Sequence, residues 1–261
     1  MYRRLLIAAA AITLILSSLS FAQIDKIAIF NEQVSWTDAA TATAATDFII
    51  ANVKVANEIK VYSDATIKAF AEANTADGDL DIIITFGWFP TNLYPPGNAE
   101  VDGSAAENFL QGGDMFLNTA DYIFYVSNPN NDAGGLQNMT NTALDMWTDG
   151  TVCKPTADGS ALTPSLPATY NAPRCFRADQ FDAEPDWDVE KIFGSDGANN
   201  LDPVIIRNNK NGGRVGIAFQ VGDATPRGEV ISEMIKNYIA ENTAAVNSIE
   251  KATTTWGAMK R

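Results

Sequence analysis

The sequence contains no histidine. That absence removes the Ser-His-Asp and Cys-His relays, the commonest general base near neutral pH and the usual zinc ligand. Cysteine is scarce, with only Cys153 and Cys175 among 261 residues. Charged side chains make up 19% and are unbalanced, 18 basic against 32 acidic, for a formal charge of −14. A chain this acidic is repelled by nucleic acid and by anionic lipid, so neither is an expected partner. No phosphate loop follows the first apolar run. The segment there is Asn31-Glu32-Gln33, with no glycine to let a phosphate approach the backbone, and no nucleotide or other cofactor is implied. Beyond the first two dozen residues, no apolar run approaches the roughly 20 residues needed to cross a bilayer.

What the N-terminus does have is a three-part export pattern. Arg3 and Arg4 precede an apolar stretch over 5–16, and small residues lead to Ser20-Phe21-Ala22. This predicts a signal peptide over 1–22, cut near Ala22, and a secreted or periplasmic protein. Cleavage takes Arg3 and Arg4 away and moves the formal charge from −14 to −16. In an oxidising compartment, Cys153 and Cys175 are expected to form a disulfide. It closes a proline-rich excursion over 148–185 and would stabilise the chain by roughly 3 kcal/mol on the loop-entropy account.

The remainder reads as one α/β domain over 23–241, followed by a tail over 242–261. Apolar runs at 26–30 and 81–86 (KIAIF and DIIITF) have the continuous β-branched character of parallel strands covered on both faces. Strands are also expected at 58–62, 115–118, 203–207 and 214–220, the last two as a hairpin. Helical spacing appears over 41–53, 63–73, 105–110, 136–147 and 228–241, and a further helix is expected to begin at 121–126. Alternation of strands and helices predicts an α/β three-layer sandwich around a mostly parallel sheet. Its central proposition is that the runs beginning at Lys26, Asp81, Met115 and Arg214 lie side by side and point the same way.

The run NFLQGGDMFLNTADYIFY at 108–125 resembles the ThuA-like proteins of the class I glutamine amidotransferase superfamily, which are flavodoxin-like. Residues 81–87 and the run GRVGIAFQVGDATPRGEVISEMIKNYIA at 213–240 are similar to the same family. The resemblance covers most of 26–147 and 203–240 and omits the cysteine excursion. It implies a catalytic cysteine, backed by His and Glu, on the turn after the strand at 115–118. Here that turn reads Leu117-Asn118-Thr119-Ala120-Asp121, so glutaminase activity is not carried over and no catalytic residue is assigned.

Ligands of open parallel sheets bind at the carboxyl ends of the strands. The residues expected there are Asn31, Glu32, Trp88, Asn118, Thr119 and Asp121. Amides, carboxylates and an indole suit a saccharide, by hydrogen bonds to its hydroxyls and stacking on its C–H face. The blander role for Asn118 and Asp121 is to cap the next helix, and for Trp88 to pack in the core. Two alternatives stand beside a non-catalytic saccharide binder. One is a carbohydrate-active hydrolase using Glu32 and Asp121 as its carboxylate pair. The other is a surface assembly component docked through the tail at 251–261 (KATTTWGAMKR). No metal site is expected. The oxygen-rich stretch from Ser195 to Asp202 lacks the terminal glutamate of an EF-hand and reads as a turn.

Overall fold

The computed structural model describes residues 24–146 and 150–243. Residues 1–23, 147–149 and 244–261 lie outside the described residues, and with them the expected signal peptide, Trp147 and most of the expected tail. In chain order the elements are β1 (Ile24–Phe30), α1 (Ala39–Asn52), β2 (Ala56–Val61), α2 (Asp64–Asn74), β3 (Leu80–Phe86), α3 (Ala105–Gln111), β4 (Met115–Thr119), α4 (Gly134–Thr140), β5 (Thr151–Pro155), α5 (Ala157–Leu162), β6 (Tyr170–Ala172) and β7 (Phe176–Arg177). They continue with β8 (Trp187–Ile192), β9 (Gly194–Ser195), β10 (Asn200–Leu201), β11 (Val204–Asn208), β12 (Arg214–Ile217) and α6 (Arg227–Met234).

The main sheet has seven strands in the order β2-β1-β3-β4-β12-β11-β8. Pairings from β2 through to β12 are parallel, and β11 runs antiparallel to both of its neighbours. The four runs expected to lie side by side therefore do so, as β1, β3, β4 and β12, in one direction. Every residue of β3 and of β4 is buried. Successive side chains of a strand point to opposite faces. Accordingly, Ile82 and Ile84 join an apolar cluster with Ala45 and Ile49 of α1 and Val230 and Ile231 of α6. Ile83 joins a second cluster with Ile67 and Phe70 of α2, Phe109 of α3 and Met139 of α4.

Helix starts follow the cap chemistry in the sequence. Asp38 accepts the Thr41 N–H at 2.8 Å before α1, and Ser104 Oγ accepts the Glu107 N–H at 3.1 Å before α3. Among the described residues no helix is long and apolar enough to cross a membrane.

Three expectations need correction. The excursion at 148–185 is not an unstructured loop. It supplies β5, β6 and β7 to a second, antiparallel sheet, β6-β5-β9-β10-β7. These strands are two to five residues long, too short to show periodicity, and β5 and β7 pair with strands some twenty or more residues on. Residues 121–126 do not open a helix. Ala120 and Phe124 have φ of 87° and 59°, and Asn131 folds the segment by donating to Phe124 O and accepting from Val126 N–H. Finally, the helix expected over 136–147 stops at Thr140, because Asn141 takes the left-handed conformation (φ 54°) and ends it.

Cys153 and Cys175 are both buried and stand as free thiols. Cys175 donates to Ala172 O at 3.0 Å. Its thiol is pushed well above the ordinary range by a hydrogen bond with the Cys153 thiol and then by burial. The expected disulfide therefore remains a proposal, and the contact between the two sulfurs supports it.

Candidate functional site at the carboxyl ends of the strands

Three of the six expected residues converge in the core below the surface. Asn118 ends β4 with no exposure and uses its whole amide. Its Oδ1 accepts from Thr85 Oγ1 at 2.6 Å and from the Gly87 N–H at 3.4 Å. Its Nδ2 donates to Asp121 O at 2.6 Å and to Gln220 Oε1 at 2.9 Å. Asp121 is 2% exposed; its Oδ2 accepts from Ser35 Oγ at 2.6 Å and its Oδ1 from the Tyr122 N–H at 2.7 Å. Burial raises its carboxyl above the usual range, against the Ser35 and Tyr122 donors and the Arg174 charge. A carboxylate that receives a serine hydroxyl has no imidazole to relay through in this chain. Thr119 is buried, and its Oγ1 accepts from Arg227 Nη1 at 2.7 Å.

The other three lie nearer the solvent. Asn31 donates to Thr46 Oγ1 of α1 at 2.9 Å. Glu32 is exposed and accepts the first N–H of α2, that of Asp64, at 2.6 Å. Trp88 is half-buried and stacked on Tyr125, with centroids 5.3 Å apart and planes at 15°.

Trp88 is one end of a strip of aromatic rings. From Tyr125 the strip passes to Tyr122 at 5.5 Å and on to Trp36 at 6.2 Å. The Arg174 guanidinium lies over both Trp36 (5.2 Å) and Tyr122 (4.9 Å), a cation–π arrangement. Trp36 is 41% exposed, among the few large apolar side chains that are. Trp36, Tyr122, Tyr125 and Arg174 were not among the residues expected from sequence. They come from three loops, and the one available signal was the density of aromatics at 122–125.

Gly87 makes the strip possible. It ends β3 at φ +90°, and a Cβ there would meet Ser35 O at 2.5 Å. The loop carrying Trp36 thereby closes onto the sheet, with the Ser35 N–H donating to Phe86 O at 3.1 Å.

A buried polar knot also missed from sequence lies behind this surface. Asp202 is fully buried and accepts the Phe219 and Gln220 N–H groups at 2.8 and 2.9 Å. Burial raises it to about 7, against those two donors and Arg227. Arg227 is 1% exposed and donates to carbonyls of Phe219 (2.7 Å), Asp223 (2.9 Å) and Val221. The stretch from Ser195 to Asp202 contains the expected turn. Asp196 Oδ1 accepts from the N–H groups of Ala198, Asn199 and Asn200.

The chain matches no protein-family model and no curated protein. Among solved structures it is similar to a protein from Bacteroides uniformis described as ThuA-like, with a TM-score of 0.44 and 14% identity over 87% of this chain and 89% of that one. No chemistry for this chain follows from a likeness of that degree.

Proposed function

We propose that this chain is an exported, non-catalytic protein of flavodoxin-like, three-layer arrangement that binds a saccharide at the carboxyl ends of its parallel strands. The observation that carries the proposal is the ring strip Trp36-Tyr122-Tyr125-Trp88, in which Tyr122 is buried beneath Arg174 while Trp36, Tyr125 and Trp88 reach the surface. Flat rings cover the C–H faces of a sugar, while the guanidinium donates to its hydroxyls or to an acidic substituent. The sheet order β2-β1-β3-β4-β12 supports the flavodoxin-like reading. The basic, apolar and small-residue pattern at 1–22 supports export. The buried Asn118 and Asp121 then act as supports that fix the loops beneath the rings, and Asn31 and Glu32 fix α1 and α2 beside them.

A glycan array probed with the purified protein tests this reading. Hits should share a ring substitution pattern and should be lost in Trp88→Ala. An array without hits, followed by no detectable binding to any saccharide at millimolar concentration, removes the proposal.

A further inference from the structure

We propose that the opposite end of the sheet, where β1 and β3 begin, binds a divalent cation of the calcium class. Asp25 on β1, Asp77 in the turn after α2 and Asp81 on β3 each offer a carboxylate oxygen, and these oxygens lie within 4.8 Å of one another. This goes beyond the saccharide reading and uses none of its residues.

Acidic side chains often gather at a surface without holding an ion. Here a second observation points to one. Asp81 is fully buried, and only its Oδ1 is engaged, by the Lys26 N–H at 2.8 Å; its Oδ2 has no hydrogen-bond partner. Directly behind it, Asp114 is 1% exposed and accepts the Asp81 N–H at 3.0 Å through Oδ1. A buried carboxylate oxygen with no donor is costly and calls for a cation. Among the described residues, the basic group facing the cluster is Lys26. Its ammonium is held at the rim by Asp25 Oδ2 and by Asn74 Oδ1 at 2.8 Å. One ammonium therefore faces the carboxyls of Asp25, Asp77 and Asp81.

The donor set selects the metal. Every candidate ligand is oxygen: three carboxylates, with the Asn74 amide oxygen next to them. That suits hard cations and lacks the nitrogen and sulfur ligands that zinc and copper favour. Coordination habit then separates calcium from magnesium. Magnesium demands near-ideal octahedral geometry and gives up its waters reluctantly, whereas calcium accepts an irregular set of carboxylates such as Asp25, Asp77 and Asp81. Lys26, whose side chain is 32% exposed, can swing into solvent as the ion enters.

Calorimetry and thermal unfolding of chelator-treated protein, titrated with calcium chloride and separately with magnesium chloride, test the proposal. Calcium should bind, raise the unfolding temperature and outcompete magnesium. Asp77→Asn lies in an exposed turn and should leave the fold intact while weakening calcium on the order of tenfold or more. Lys26→Gln should tighten calcium by removing the competing ammonium. Asp158→Asn, an exposed carboxylate elsewhere, should change nothing. The proposal is overturned by any of three results. These are no calcium binding at millimolar concentration, equal affinity in Asp77→Asn and the parent protein, or a preference for magnesium.

Discussion

Asn118 and Gln220, 102 positions apart, exchange two hydrogen bonds: Asn118 Nδ2 donates to Gln220 Oε1 at 2.9 Å, and Gln220 Nε2 donates back to Asn118 O at 3.1 Å. This exchange clasps the end of β4 to the chain leaving β12, where the loops beneath the ring strip are anchored. Asn118→Ala would strip partners from Thr85 Oγ1, the Gly87 N–H, Asp121 O and Gln220 Oε1 together. Each buried group left unpaired costs about 1–3 kcal/mol. Denaturant unfolding of Asn118→Ala should therefore show a loss of about 3 kcal/mol or more, with unchanged stability ruling out the clasp.

A second prediction concerns Gly87. Its φ of +90° strains any other residue, and the added Cβ would press on Ser35 backbone. Gly87→Ala should cost on the order of 2–3 kcal/mol and should move the Trp36 loop, read as a change in near-ultraviolet circular dichroism. A variant as stable as the parent protein would mean that the approach of Ser35 to β3 is loose.

Arg214 and Glu190 form an ion pair at 2.8 Å, with side chains only 8% and 13% exposed, between β12 and the edge strand β8. Removing one partner strands the other in the core, at a cost of about 3–5 kcal/mol. Glu190→Ala should show a destabilisation of that order in urea, and the double variant Glu190→Ala/Arg214→Met should recover much of it.

Asp202 makes stability depend on pH. Its folded value, about 7, lies above the ordinary 3.8 because it is buried. Such a carboxyl takes up a proton on folding. Its contribution is fully present below about pH 4 and is lost as pH rises through about 7. Unfolding temperature should therefore fall between about pH 4 and 7, and Asp202→Asn should flatten that slope. A slope unaltered in Asp202→Asn would assign the effect to other groups.

The adjacent sulfurs of Cys153 and Cys175 predict a disulfide in protein recovered from an oxidising compartment. Intact mass before and after reduction should differ by two hydrogen atoms. Cys153→Ser should lower stability by about 3 kcal/mol under oxidising conditions. Identical masses would show that the pair stays reduced.

The parallel core was legible in the sequence for a physical reason. Strands such as β3 are buried on both faces and must be apolar throughout, so LDIIITF announces itself. The helix start at Ser104 was legible because a cap is a local hydrogen bond, whereas the cap at Asp38 was not, and the first helix was expected from Thr41. The second sheet was not, since its strands carry no period and exist only through pairing across the fold. The ring strip and the acidic cluster were hidden similarly. Trp36 and Arg174, like Asp25, Asp77 and Asp81, are isolated residues of unremarkable type until the sheet brings them together. In the opposite direction, Asn118 and Asp121 looked like ligand groups in sequence, but in the fold their hydrogen bonds are spent on the protein itself.

The claim on which the functional account rests is that a saccharide lies along the strip whose ends are Trp36 and Trp88. Titration calorimetry of the best saccharide into the parent protein, Trp36→Ala, Trp88→Ala and the buried control Trp187→Phe measures this directly. The account predicts that the first two variants lose on the order of tenfold in affinity, from about 1–3 kcal/mol of lost ring contact and cation–π support, while the control binds as before. Saccharide affinity that is indifferent to Trp36 and Trp88 would contradict it.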